Sequence, residues 1–303
     1  MNSLQDKAIV VTGAGRGLGA AYARHAASLG ARVVVSSLNG DDAMQVAKEI
    51  HAAGGRAVAQ ATDVRDWHQA AALIERCVKE FGAIDGLINN AGLFQMARID
   101  EIEPSDIEKI LAVNIAGAIY CTTHAVRHML PRKTGSILNI TSDAQAGLPC
   151  MSAYGATKGA ITSLVYTWSL ELHDAGIRVN AFAPLAATRM GDVSKKYYDK
   201  KGQATPYYAM PTAEANAPLV CFLLSDQARD ITGQVFRLDN QRFGLMTHPA
   251  IAMPMHERDA WTFEAVEEIV REDFSKRQQP PGLVGLSATV AAFASDLYGL
   301  SSE

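Results

Sequence analysis

A tyrosine and a lysine stand four positions apart in the stretch SAYGATKGA, whose other residues are small and uncharged. On a helix, Tyr154 and Lys158 would lie on the same face, one turn apart. An ammonium group beside a phenol favours the phenolate, so it lowers the pKa of the tyrosine from its ordinary value of about 10. Such a pair could exchange a proton with a reacting group. Taken alone, the same spacing also fits a solvated helix face.

A glycine-rich turn stands near the start of the chain. The stretch TGAGRGLG, Thr12 to Gly19, follows a short β-branched run and opens a helical segment. Gly13, Gly17 and Gly19 allow a tight turn, close approach of the backbone to a pyrophosphate, and close packing of the helix on the strand. The following helix N-terminus favours phosphate groups. The turn therefore predicts a dinucleotide site.

The end of the second predicted strand bears on the choice of cofactor. An acidic residue there binds the ribose 2′-hydroxyl of NAD, whereas a 2′-phosphate requires its absence and a nearby cation. The sequence has Ser36 and Ser37 at this point, and Arg16 in the glycine turn could reach a phosphate. NADP(H) is therefore slightly favoured over NAD(H). The alternative stays open, because Arg16 could be solvated and Asp41 and Asp42 lie close by in the sequence.

Short, nearly continuous apolar runs alternate with longer helical patterns along most of the chain, as is typical of parallel strands buried on both faces. This order predicts an α/β fold of the Rossmann type, a doubly wound, parallel, seven-stranded sheet with helices on both faces. The predicted strands are residues 7–13, 31–37, 56–63, 83–92, 135–142, 177–184 and 233–239.

The pattern changes after Gly244. A Pro- and Met-rich arm is followed by an amphipathic helix with Thr262 as its N-cap, and then by a last helical stretch, LSATVAAFASDLYGL. We therefore expect a dinucleotide-binding and catalytic domain over residues 1–244. Residues 245–303 would form a partly helical extension that packs on this domain or on a neighbouring subunit.

Composition excludes several classes of protein. The chain has 303 residues, a net charge of −4 and no basic excess, which argues against a nucleic-acid partner. No apolar run approaches the roughly 18 residues of a membrane span, and the start lacks a signal-peptide pattern. The four cysteines are scattered, without a C-x-x-C pair. These features predict a cytoplasmic protein with no membrane partner.

From Lys7 to about Asp239 the chain resembles the short-chain dehydrogenase/reductase family, in its single-domain form. The motifs that carry the resemblance occur in the family's order. They are TGAGRGLG, Asp63 at the end of the third strand, NNAG at Asn89 to Gly92, VNIAG with Asn114, ITS ending in Ser142, and the Y-x-x-x-K of Tyr154 and Lys158.

The resemblance implies a catalytic tetrad. Tyr154 would be the general acid in carbonyl reduction and the base in alcohol oxidation, and Lys158 would lower its pKa and hold the nicotinamide ribose. Ser142 would bind the substrate oxygen, and Asn114 would hold a water that links Lys158 to solvent. The implied cofactor contacts are Gly13, Arg16, Gly17, Leu18, Gly19, Ser37, Asp63, Val64, Asn90, Ala91, Gly92, Tyr154, Lys158 and Thr188.

Two departures from the family pattern concern the nicotinamide end of the site. Leu185 follows Pro184, whereas the family usually has glycine at this position. In this respect the chain resembles the dehydrogenase units of multifunctional β-oxidation enzymes, in which a side chain also follows the proline. The stretch RLDNQRFG stands where many members have Asp-Gly-Gly, so the C-terminal turn must be built differently.

The resemblance implies an NAD(P)-dependent oxidoreductase that transfers a hydride between nicotinamide and a secondary alcohol or ketone. A hydrophobic or 3-oxoacyl substrate, and a homodimer or homotetramer, would fit the family. The alternative is a sensor or scaffold that binds the dinucleotide without turnover, but such a protein has no need of the whole tetrad.

Other constellations carry less weight. His124 and His128 have a helical spacing that could bind zinc, yet no third ligand is evident, so no metal site is predicted. The basic, aromatic stretch of residues 194–203 falls where this family covers its substrate, and it could meet an anionic substrate or be a solvated lid. An apolar pocket could include Met190, Tyr207, Tyr208 and Met210, although core packing explains these residues nearly as well.

Overall fold

The chain folds around one eight-stranded sheet. The computed structural model describes residues 3–205, 210–239 and 242–278. The strand order is β3-β2-β1-β4-β5-β6-β7-β8. The strands are β1 (Ala8–Val11), β2 (Arg32–Ser37), β3 (Arg56–Ala61), β4 (Gly86–Asn89), β5 (Gly135–Ile140), β6 (Ile177–Pro184), β7 (Val235–Asp239) and β8 (Arg242–Leu245).

The first seven strands are parallel, which confirms the predicted doubly wound sheet. All four residues of β1 and of β4 are buried, as expected for central strands covered on both faces. The strand order reverses between β1 and β4. A ligand site in such a sheet lies at this switch point, outside the carboxyl ends of the strands.

Nine α-helices are present among the described residues: α1 (Gly17–Ser28), α2 (Gly40–Ala52), α3 (Trp67–Phe81), α4 (Pro104–Leu111), α5 (Gly117–Met129), α6 (Ser152–Glu171), α7 (Met190–Lys200), α8 (Ala217–Leu224) and α9 (Phe263–Glu272). Side chains of α1, α2 and α8 cover one face of the sheet, and those of α3, α5 and α6 cover the other. Each face therefore has its own hydrophobic core.

Local signals in the sequence explain where α3 begins and ends. The Asp66 side chain caps the N-terminus by accepting hydrogen bonds from the amides of His68 and Gln69, at 2.8 and 3.0 Å. Gly82 ends the helix in the left-handed conformation, at φ +83°. Asn39 caps α2 in the same way as Asp66 caps α3, through the amide of Asp41.

The eighth strand is a feature that the sequence did not predict. Strand β8 runs antiparallel to β7, with Phe236 opposite Leu245 and Asp239 opposite Arg242. This hairpin occupies the place of the family's Asp-Gly-Gly turn, so the departure noted in the sequence corresponds to an added edge strand. Strand β8 includes position 244, where we predicted that the catalytic domain ends. This domain boundary stays a prediction.

The extension contacts the main body just after β8. A ring nitrogen of His248 lies 2.8 Å from the carbonyl oxygen of Gly233, and its ring centroid lies 4.4 Å from that of Tyr166. Farther on, the Thr262 hydroxyl caps α9 as predicted, accepting from the amide of Ala265 at 3.2 Å. The last predicted helical stretch lies outside the described residues.

One continuous helical run, Pro104–Arg132, is long and apolar enough to cross a membrane by length and composition alone. It comprises α4, α5 and the segments that join and follow them. The run carries the buried Asn114, and α5 packs against α3, β4 and β5. These contacts are typical of a core helix.

Candidate active site

The glycine turn lies against the end of β4. Gly13 and Gly17 have φ angles of +62° and +56°, in the left-handed region that favours glycine. A Cβ on Gly13 would lie 2.8 Å from the Cα of Ala91, and one on Gly19 would lie 2.5 Å from the side-chain nitrogen of Asn90. Gly13 and Gly17 are therefore needed for the backbone conformation of the turn, and Gly13 and Gly19 for its close packing on the end of the strand.

Thr12 and Asn90 hold this turn in place. The Thr12 hydroxyl oxygen accepts from the backbone amides of Asn90 and Ala91, both at 3.0 Å, and donates to the carbonyl of Ile88 at 3.2 Å. In return, the Asn90 side chain donates to the carbonyls of Thr12 and Gly13, at 2.9 and 3.1 Å. The sequence assigned neither side chain this role, although both stand inside the motifs.

Replacing Thr12 with valine should lower the free energy of unfolding by about 1–3 kcal/mol and weaken dinucleotide binding. The change keeps the shape of the side chain but leaves the partly buried amide of Ala91 without its acceptor. Urea unfolding and cofactor titration would measure the two effects. Thr12→Ser, which keeps the hydroxyl, is the matched control. An equal loss in the serine variant would contradict the assignment.

Asn114 lies in a π-helical segment, Ala112–Ala116, between α4 and α5. Its side-chain oxygen accepts from the amide of Leu93 at 2.7 Å, and its side-chain nitrogen donates to the carbonyl of Leu93 and to the Thr157 hydroxyl, both at 3.0 Å. The residue thus ties α6 to the loop after β4. Thr157 was not identified from the sequence, since no motif marks it.

Tyr154 and Lys158 lie on one buried face of α6, as predicted, with 7% and 5% of their surface exposed. The Lys158 ammonium lies 5.5 Å from the centre of the Tyr154 ring and donates to the carbonyl of Ile140 at 2.8 Å. A Cβ on Gly92 would lie 3.5 Å from the Asn114 side-chain oxygen and 3.7 Å from the Lys158 nitrogen. The ends of β4 and β5 and helix α6 therefore meet at this pair.

Burial controls the acidity of both groups. It raises the pKa of Tyr154 to about 12; a hydrogen bond with Ser142 acts in the opposite direction, and the charge of Asp143 adds to the rise. Burial likewise lowers the pKa of Lys158 to about 8. The sequence-based expectation that Lys158 lowers the pKa of Tyr154 is not met in this structure, because desolvation dominates and the ammonium is directed to a backbone carbonyl.

Ser142 stands at the end of β5 and caps the short turn Asp143–Ala146, accepting from the amide of Ala144 at 3.2 Å. This turn presses on α6 beside the tyrosine, since a Cβ on Gly155 would lie 2.5 Å from the Ala144 carbonyl oxygen. Phe94 packs edge-on against the Tyr154 ring at 4.9 Å. Phe94 is a further residue of the site that the sequence motifs did not indicate.

The end of β2 lies beside the glycine turn. A Cβ on Gly15 would lie 2.7 Å from the Ser37 hydroxyl oxygen and 2.7 Å from the Cβ of Asp42. The Arg16 side chain is 61% exposed, and its guanidinium lies 4.0 Å from the Asp42 carboxylate. Ser37 therefore lies beside the glycine turn that contains Arg16, with Asp42 as an acidic neighbour.

Asp63, one of the implied cofactor contacts, is held by the guanidinium of Arg65 at 2.6–3.0 Å, which keeps the pKa of its carboxyl below the usual range. Val64 packs against the backbone of α5, where a Cβ on Gly117 would lie 2.7 Å from its side chain. Leu18 packs on the core beneath the glycine turn. The spacing of residues in the sequence motifs did not indicate these contacts of Asp63 and Leu18.

The glycine turn is open on the side of Gly17. Among the described residues outside the turn and its helix, the methyl group of Thr188 is the one neighbour within 4 Å of a Cβ built on Gly17, at 3.9 Å. Thr188 thus faces the turn from the segment after β6. That segment is held by Asn216, whose side chain donates to the carbonyl of Leu185 at 3.1 Å. The residues present therefore fit a dinucleotide lying between this segment and the turn.

A doubly wound sheet with a glycine turn at its switch point and a buried tyrosine–lysine pair beside it defines a dinucleotide-dependent oxidoreductase. The family model described as short chain dehydrogenase matches residues 7–198, and the chain belongs to this family. It is an NAD(P)-dependent oxidoreductase that interconverts alcohols and ketones.

Individual relatives agree with this assignment. The chain is 37% identical over 244 residues to an uncharacterized oxidoreductase of Methylorubrum extorquens, covering 78% of this chain and 97% of the relative. It is 30% identical over 239 residues to a 3-oxoacyl-[acyl-carrier-protein] reductase of Thermotoga maritima, with 78% and 97% covered. The crystal structure of a short chain dehydrogenase from Mycobacterium avium matches with a TM-score of 0.81 and 31% identity, covering 94% of this chain and 100% of that one.

Proposed function

We propose that this chain interconverts a hydrophobic or 3-oxoacyl-type ketone and the corresponding secondary alcohol, with NADP(H) as the preferred cofactor. The observation that carries the proposal is the convergence of Asn114, Ser142, Tyr154 and Lys158 beside the glycine turn. The sensor or scaffold alternative has no feature of the site in its favour.

In this proposal, Tyr154 exchanges the proton with the substrate oxygen, and Ser142 donates a hydrogen bond to that oxygen as charge develops. When bound, the nicotinamide supplies or accepts the hydride. Lys158, whose pKa burial lowers to about 8, would hold the cofactor ribose and favour the phenolate in place of its contact with the Ile140 carbonyl. Both polar atoms of the Asn114 side chain are engaged, so its backbone carbonyl is the group that would hold the relay water.

The apolar surroundings of Tyr154 support a hydrophobic substrate. Phe94, Leu148 and Met151 pack against the small buried cluster that contains the tyrosine. Helix α7 lies nearby and acts as the lid: its Tyr197 hydroxyl contacts the Cys150 sulfur at 3.3 Å, and Lys201 just after it pairs with Glu101. The similarity to a 3-oxoacyl-[acyl-carrier-protein] reductase favours a 3-oxoacyl group among hydrophobic ketones.

The preference for NADP(H) rests on the end of β2. Ser36 and Ser37 leave no acidic side chain at the strand end, and Arg16 is the cation of the glycine turn. At 4.0 Å, with the Arg16 side chain 61% exposed and that of Asp42 38% exposed, their pairing is weak enough for a phosphate to displace.

Replacing Arg16 with alanine should weaken NADPH binding about tenfold and change NADH binding less than about twofold, because only the 2′-phosphate needs the cation. Quenching of tryptophan fluorescence would measure both dissociation constants. Arg24→Ala, which removes an exposed arginine of α1 that pairs with Glu49, is the control. Equal losses for the two cofactors, or a wild-type preference for NADH, would contradict the preference for NADP(H).

We further propose a cytoplasmic homodimer or homotetramer that acts on a small molecule, with neither nucleic acid nor membrane as a partner. The family resemblance supports the assembly. The four cysteines support a reducing compartment, because all are free thiols and three of them are buried.

A further inference from the structure

The short turn after Ser142 is clamped from strand β7. The Arg237 guanidinium binds Asp143 through three contacts: its Nε lies 3.0 Å from each carboxylate oxygen, and its Nη2 lies 2.9 Å from Oδ2. The same Nη2 lies 3.2 Å from the Asp239 carboxylate. The Arg237 and Asp143 side chains are 17% and 21% exposed. A partly buried, two-oxygen contact of this kind is among the stronger ion pairs in proteins.

Asp143 stands between two residues that border the proton-transferring tyrosine. Ser142 precedes it, and Ala144 follows it and shares an apolar cluster with Tyr154. The Ala144 carbonyl also packs directly on Gly155. The clamp therefore fixes the backbone from which the Ser142 hydroxyl is presented.

The clamp also affects the electrostatic environment of Tyr154. Among the described residues, the charge of Asp143 acts on the Tyr154 phenol, and the Lys158 ammonium lies 5.5 Å from the centre of its ring. Arg237 and Asp239 on β7 complete the clamp around Asp143. The Asp143 carboxylate raises the pKa of Tyr154 and so opposes formation of the phenolate. A guanidinium bound to both oxygens of that carboxylate offsets this charge.

We propose that Arg237 is a positioning residue for the reaction, which fixes the turn that presents Ser142 and offsets the Asp143 charge so that Tyr154 can ionise. The inference rests on the proposed role of Tyr154 as proton donor and acceptor. Arg237 lies outside the span of the family match, in the stretch that replaces the family's Asp-Gly-Gly.

The test is a set of charge variants assayed over pH. The kcat/KM for oxidation of cyclohexanol or a 3-hydroxybutyryl thioester with NADP⁺ should rise with pH as Tyr154 loses its proton. Arg237→Met should shift the midpoint of this rise to higher pH by roughly half a unit or more, and Asp143→Asn should shift it to lower pH. The double variant should lie close to wild type. Arg237→Lys keeps the charge, so it should keep the position of the rise while losing activity.

Arg178→Lys is the matched control. Arg178 on β6 is also partly buried, but among the described residues its guanidinium donates to the backbone carbonyls of Leu223 and Ser225, at 2.7 and 3.1 Å, and to no side chain. This variant should lose stability without moving the pH profile. A profile in Arg237→Met that stays at the wild-type position would overturn the inference, whatever its loss of rate.

A second readout separates this inference from the proposed function. Tyrosinate absorbance, titrated against a Tyr154→Phe reference, reports on the phenol without any substrate. Lack of turnover by the wild type with either cofactor would count against the proposed function alone. An Asp143→Asn phenol that titrates no lower than wild type, or an Arg237→Met phenol that titrates no higher, would overturn the role given to the clamp.

Discussion

Tyr154→Phe should lower kcat by about 10²–10⁴-fold and leave the affinity for the cofactor within about twofold. The substitution removes only the hydroxyl that exchanges the proton. The ring, which is buried and packed edge-on against Phe94, keeps its contacts. Steady-state kinetics together with cofactor titration would separate the two effects.

Tyr166→Phe is the matched control for this experiment. Tyr166 lies on the same helix, away from the site, and its ring packs against His248. It should retain nearly full activity. If Tyr154→Phe kept more than about a tenth of the wild-type kcat, proton transfer by Tyr154 would have to be abandoned.

Lys158→Met should lower kcat/KM by about 10²–10³-fold, because the variant loses the ammonium that lies 5.5 Å from the centre of the Tyr154 ring and that favours the phenolate in the proposed mechanism. The same substitution should change stability in a pH-dependent way. Burial lowers the pKa of Lys158 from 10.5 in its ordinary state to about 8. Below pH 8 the folded protein therefore holds an ammonium in a site that disfavours it.

The sign of the stability effect follows from proton linkage. Between pH 8 and 10.5 the unfolded chain binds more protons at this lysine than the folded chain, so wild-type stability gains from rising pH in this window. The gain amounts to about 3 kcal/mol from the shift in pKa. The methionine variant lacks this gain, so its stability relative to wild type should be highest below pH 8 and fall through the window.

Denaturant unfolding at several pH values would measure this difference. Lys109→Met, at an exposed lysine of α4, is the control and should show no such trend. A difference between Lys158→Met and wild type that stays constant from pH 7 to above 10.5 would show that the ammonium is not destabilised by burial.

The order of elements and the chemistry-bearing residues could be read from the sequence. Continuous apolar runs predict strands buried on both faces, and Gly13 and Gly17 indicate the turn between β1 and α1. The pair Tyr154 and Lys158 indicates one face of α6. These predictions depend on the spacing of apolar residues along the chain and on local backbone conformation. Residues close together in the sequence specify both.

Other features depend on pairs of residues far apart in the chain. Thr12 meets Asn90 and Ala91 across 78 and 79 positions, and Asp143 meets Arg237 across 94. Strand β8 pairs with the edge that β7 offers. No local pattern shows that these residues are partners, since side chains so far apart in the chain meet only when the sheet brings them together.

The sequence by itself determined that this chain is a doubly wound α/β protein of the short-chain dehydrogenase/reductase type, and which residues its motifs bring to the site. The tertiary structure decided the electrostatic state of those residues. Burial raises the pKa of Tyr154 and lowers that of Lys158, while Asp143 and its clamp adjust the balance. The reason is physical: desolvation depends on everything packed around a group, and residue types and spacing do not specify that packing.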